Sequence, residues 1–201
     1  PPATPPPPPA PPPPPPSPPP APALADPLTS RIETVATDGA TVGHTTFRLV
    51  LTLPESAENV YSIYGYSDNS MLIPAAFQVP APFGVDVGGA NAAFFAFMAA
   101  AEYDSWITIG LTGGDASGAM ASIGVEFQSW SLSTGLRVTD GALFYMDPTT
   151  GPSGDVVIAQ LTVPTVAGAA SRIFACNCQG RSTGGQTGTY WQEHGVTFEL
   201  P

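Results

Sequence analysis

The chain contains no lysine. Its five basic residues (Arg31, Arg48, Arg137, Arg172, Arg181) face sixteen acids, for a net charge of −11 over 201 residues. A surface of that sign repels phosphate backbones and anionic headgroups, which excludes nucleic acid and membrane surfaces as partners. No apolar run approaches the 18 residues a membrane span needs; the richest, residues 92–101 (AAFFAFMAAA), is too short. Histidine is almost absent, with only His44 and His194, and there is no Gly-x-Ser-x-Gly elbow. A serine–histidine–acid mechanism therefore lacks its parts, and the expectation is a protein that is not an enzyme. Asn-x-Ser/Thr is missing at every asparagine, which excludes N-glycosylation. There is no initiator methionine and no signal-like apolar core, so the expectation is a mature or partly observed chain whose targeting segment is missing.

Cysteine is scarce too. Cys176 and Cys178, in Phe-Ala-Cys-Asn-Cys-Gln-Gly, are too few to close a zinc site and lack the CxxC spacing. In a regular strand their Cα atoms would lie about 6.6 Å apart, the long edge of disulfide geometry. A local disulfide at a turn, a bond to a neighbouring chain and a pair of reduced core thiols all stay open, the local bridge being expected in an oxidising compartment.

What the chain has in excess is proline. Eighteen of its 26 prolines fall within residues 1–27. Proline fixes φ near −65° and offers no N–H, so such a run forms neither helix nor ladder and adopts polyproline II. At ~3.1 Å per residue, residues 1–23 reach roughly 70 Å, more than a domain is wide. Residues 24–38 (LADPLTSRIETVATD) form a linker or donor strand, and residues 39–201 a single domain.

That domain reads as all-β. Residues 45–53 (TTFRLVLTL) alternate, with Phe47, Leu49, Leu51 and Leu53 on one face. Similar short runs at 60–66, 105–111, 123–130, 142–146, 156–163 and 196–200 are separated by Gly/Asp/Ser/Pro turns. The pattern predicts an antiparallel, jelly-roll-like β-sandwich with an N-terminal polyproline II arm. Residues 92–101 are expected as an extended segment or short helix crossing one end of the sandwich.

Four groups of side chains are candidates for function. Glu102 and Asp104 flank Tyr103 in an aromatic setting of the kind glycosidases use, although an i, i+2 pair carries no cross-cleft separation. Asp140, Asp147 and Asp155 lie in oxygen-rich turns and are the candidates for a calcium ion; no other metal or cofactor is expected. Tyr61, Tyr64, Tyr66, Trp106, Trp130, Tyr190 and Trp191 are candidates for gripping a proline rod or a glycan, since aromatic grooves bind a rod that is already ordered. The cysteine pair is the fourth.

Ser17 among prolines and Pro-Ala-Thr-Pro at 2–5 resemble the hydroxyproline-rich glycoproteins of plant and algal extracellular matrices. A rod joined to a sandwich is similar to the pherophorin-like matrix proteins of green algae. The segments 73–84 (IPAAFQVPAPFG), 103–110 (YDSWITIG) and 179–185 (QGRSTGG) look like a secreted module of algae and related protists. The resemblance implies secretion to a cell wall, matrix or surface appendage. It also implies prolyl hydroxylation and O-linked glycans on the rod, at Thr4, Pro5, Pro6, Pro7, Pro8, Pro9, Pro11, Pro12, Pro13, Pro14, Pro15, Pro16, Ser17, Pro18, Pro19 and Pro20. The expectation is an extracellular structural glycoprotein that self-associates into a filament through its arm. The alternative is a carbohydrate-binding sandwich, with polysaccharide as partner, displayed on a glycosylated stalk.

Overall fold

Phe47, Leu49 and Leu51 alternate along strand β2 (His44–Thr52) and are all buried, as the period-two pattern requires. They belong to a computed structural model that describes residues 24, 26–166, 172–184 and 189–201. The rod of residues 1–23, with every hydroxylation and glycosylation candidate on it, lies outside the described residues.

Two antiparallel sheets pack face to face. In the small sheet β2 is central, paired on one side with β1 (Thr29–Thr37) and on the other with β9 (Asp155–Pro164). The short β5 (Trp106–Ile107) completes it beyond β9. The large sheet is built around β10 (Ile173–Arg181). One edge of β10 carries the whole of β11 (Tyr190–Glu199). Its other edge is shared by β3 (Ser62–Gly65) and β4 (Met71–Ile73). From β3 the sheet continues through β8 (Gly141–Tyr145) to β6 (Met120–Ile123), and from β4 to β7 (Leu136–Val138). Leu49, Ile63, Leu143, Ile158, Phe174 and Trp191, all fully buried, fill the space between the sheets. The all-β sandwich expected from the turn spacing is the fold.

Three local expectations need correction. The run 123–130 is not a strand: β6 ends at Ile123, Gly124 takes φ +66°, and Phe127–Ser129 form a 3₁₀ turn. Of 105–111 only Trp106 and Ile107 pair, with Gln160 and Ala159 of β9. Residues 92–101 do not cross the sandwich end. They contribute two 3₁₀ helices, Ala92–Phe94 and the start of Ala99–Tyr103, in an excursion laid over the outward face of the small sheet. There the Thr162 hydroxyl donates to the Tyr103 carbonyl (2.6 Å), and the Phe77 N–H donates to the Thr162 carbonyl (2.8 Å).

The linker or donor strand, residues 24–38, supplies β1 and pairs with its own chain's β2. Leu24, Leu28 and Ile32 pack against the core. Arg31 of β1 bridges Glu33 and, across β2, Asp155 of β9, at 2.9 Å each, and a register shift follows between Thr34 and Ala36. A bulge is an ordinary protection of an exposed edge.

Candidate functional site

The outward face of the large sheet gathers the tyrosines. Ile63 and its partner Cys178 point into the core, so alternation sends Tyr64 and Gln179 to the opposite face. Tyr66 lies two residues on and is 36% exposed. The Tyr64 and Tyr66 rings stand 6.2 Å apart at 28°, and exposed His194 of β11 meets both edge-on, at 6.3 and 5.7 Å. These spacings fall within the range in which aromatic pairs attract.

One buried side chain holds the three rings in place. Asn177 sits where β10 and β11 shift register, between Cys176 and Cys178. Its amide donates to the carbonyls of Tyr64 (3.0 Å) and Asn69 (2.8 Å), and its oxygen accepts from the Gly195 N–H (3.1 Å). Asn69 is bridged in turn to Tyr66, and Gly195 follows His194. The strand, turn and bulge that carry the rings are thus tied to a single amide.

Beside the rings runs a neutral polar strip. Gln179 donates to the Tyr61 hydroxyl (2.7 Å) and accepts a long bond from Gln192 (3.4 Å). Half-buried Tyr190 pairs with Arg181 one step further along β11. Burial pushes the Tyr64 phenol up to about 12 and raises that of Tyr61 as well. Both stay protonated at any physiological pH. The two phenols therefore bring rings and hydrogen-bond groups to the face without charge.

The tryptophans are a correction. Trp106, Trp130 and Trp191 are 1%, 4% and 0% exposed, so none presents a ring face to a partner. The Trp130 indole N–H donates to the Pro74 carbonyl (2.8 Å), and that of Trp191 to the carbonyls of Asn59 and Arg181 (3.1 and 2.9 Å). Of the seven aromatic candidates, Tyr61, Tyr64, Tyr66 and Tyr190 remain at the surface.

The two carboxylates near Tyr103 separate in role. Asp104 is fully buried and accepts three backbone N–H groups, from Val79 (2.8 Å), Val85 (2.8 Å) and Ser105 (3.0 Å). It organises a loop and is closed to substrate. Glu102 is exposed. The calcium candidates are each occupied locally or alone: Asp155 holds Arg31 and Thr52, and Asp147 accepts the Thr149 N–H and hydroxyl. Exposed Asp140 belongs to a separate turn, and among the described residues no three His, Cys, Asp or Glu side chains are grouped to hold a metal.

Cys176 and Cys178 are free thiols, both buried, with their sulfurs 3.8 Å apart. The expected local disulfide is corrected: both side chains point into the core from one strand, well beyond the ~2.05 Å of a bond. The hydrogen bond between the thiols, together with burial, holds Cys178 well above the ordinary thiol range, which makes it a poor nucleophile. The folded chain is expected to resist maleimide, and the same chain unfolded without reductant to take up two labels by intact mass. A chain that takes none when unfolded would contain a disulfide.

Tyr64 and Tyr66 were legible as a pair because i and i+2 share a strand face. Asn177 and His194 carried no such signal, because their positions depend on the bulge. No family model, curated protein or solved structure matches the chain.

Proposed function

We propose that the protein is an extracellular structural glycoprotein in which residues 1–23 of one subunit lie along the tyrosine face of the next. The observation that supports this reading is the ring cluster of half-buried Tyr64 with exposed Tyr66 and His194 on the outward face of the sheet, tied together by buried Asn177. A polyproline II rod has apolar ring faces and carbonyl acceptors but no donors. Its complement is a surface of aromatic rings and hydrogen-bond donors. The rod is ordered before it binds, so docking costs little entropy. A contact between one subunit's arm and another's face is heterologous. Unless its rotation closes a ring, it propagates as a filament. Glycans attached to hydroxyproline would occupy the sides of the rod turned away from the sheet, and no metal or cofactor is required.

A synthetic peptide of residues 5–20, titrated calorimetrically into the chain lacking residues 1–23, tests the contact. Binding is expected, weakened at least tenfold by Tyr66→Ala, since truncating a ring at the centre of a small interface costs about 1.4 kcal/mol or more. Binding that is indifferent to Tyr66→Ala would refute the assigned face. Neutral oligosaccharides binding there in place of the peptide would favour the carbohydrate-binding alternative.

A further inference from the structure

The small sheet carries a second site on its outward face, under the excursion of residues 77–105. Arg48 of β2 lies between the core residues Phe47 and Leu49, so it points away from the core. Its register partner on β9 is Gln160, which is 1% exposed and fully committed. The Gln160 amide donates to the carbonyls of Glu102 (3.0 Å) and Asp104 (2.9 Å), and its oxygen accepts from Arg48 Nε (3.1 Å). The guanidinium is therefore gripped by its Nε edge. Its two Nη groups have no hydrogen-bond partner among the described residues.

Arg48 lines a cavity of about 140 Å³ bounded also by Glu102, Gln160, Phe95, Trp106 and Gly113. A water's share of liquid volume is about 30 Å³, so that is room for about five waters, enough for the carboxylate-bearing edge of one sugar ring. We infer that this cavity binds a hexuronic acid residue, a sugar ring bearing one carboxylate. The paired Nη groups match a planar carboxylate in a fork that lysine could not supply. Glu102 disfavours a second negative charge but accepts hydrogen bonds from ring hydroxyls. Half-buried Phe95 gives the apolar ring face something to pack on. A tetrahedral dianion would gain the same fork but meet the Glu102 carboxylate at full charge. Mounting the arginine on a central strand, with its partner glutamine immobilised, pre-orders the site before ligand arrives.

Calorimetric titration of the full chain with methyl glucuronide, methyl glucoside, acetate and sulfate tests the assignment. The glucuronide is expected to bind in the millimolar range or tighter, and the other three at least tenfold more weakly. Arg48→Met is expected to reduce glucuronide binding at least tenfold. Gly113→Leu is expected to do the same with Arg48 intact; Gly113 lines the cavity and a Cβ there meets nothing within 4 Å, so bulk is added at the site without strain on the fold. An otherwise neutral oligosaccharide ending in one glucuronate that binds tenfold tighter than the monosaccharide would identify polysaccharide as the source, and equal affinity a free sugar; both support the site. No glucuronide binding, equal binding of acetate or sulfate, or unchanged affinity in Gly113→Leu would overturn it. Peptide binding at the tyrosine face is independent of all these outcomes.

Discussion

Gly180→Ala is expected to destabilise the domain by about 3 kcal/mol or more, at the upper end of overpacking penalties. A Cβ at Gly180 would fall inside the contact distance of the Asn59 carbonyl oxygen and of the Trp191 ring. Neither can retreat. Trp191 is fully buried and its indole N–H is shared between the Asn59 and Arg181 carbonyls. Asn59 is 2% exposed and bonds Pro148 and Arg181 through its own side chain. Moving either neighbour strands buried polar groups, each at about 1–3 kcal/mol. For a domain of this size the melting temperature should fall by roughly 10 °C, readable by circular dichroism. A fall of a degree or two would mean that the packing of β10 on Trp191 is looser than described.

Asp104→Ala is expected to cost about as much, because it removes the acceptor from three backbone N–H groups at once. Asp104 also gives stability a signature in pH. Burial raises its pKa from 3.8 to about 6; the three amide bonds oppose this rise, and the neighbouring Asp86 carboxylate adds to it. The folded state therefore binds the proton more tightly than the unfolded chain. The contribution is fully present below pH 3.8 and is lost as pH rises to about 6, a difference worth about 3 kcal/mol. Asp104→Asn, neutral throughout, should lack this decline, although its amide faces the Val85 N–H and weakens the fold overall. Denaturant titrations of both proteins between pH 4 and pH 7 should yield a stability difference that shrinks as pH rises. Parallel pH profiles would place the Asp104 titration elsewhere.

The strands that were legible in the sequence are those whose two faces differ. Residues 45–53 and 156–163 alternate or run apolar with β-branched residues, and they became β2 and β9. β10 was not legible as a strand: Phe-Ala-Cys-Asn-Cys-Gln-Gly-Arg has few β-formers, and it is stable as a strand because neighbours pair with both its edges. β4 and β7, three residues each, were too short to show a period. At the surface, the spacing of Tyr64 and Tyr66 was readable, whereas the tryptophans misled because a large ring is as often core as contact. The Arg48 cavity needed the fold, since it joins residues from β2, β9 and the intervening excursion.

Head-to-tail assembly through residues 1–23 is tested most directly by negative-stain electron microscopy of the full chain beside the chain without them. The full chain is expected to form filaments. The truncated chain should stay dispersed and keep the same β-sheet circular-dichroism spectrum, because among the described residues the first strand begins at Thr29. Filaments of unchanged length and number from the truncated chain would contradict assembly through the arm.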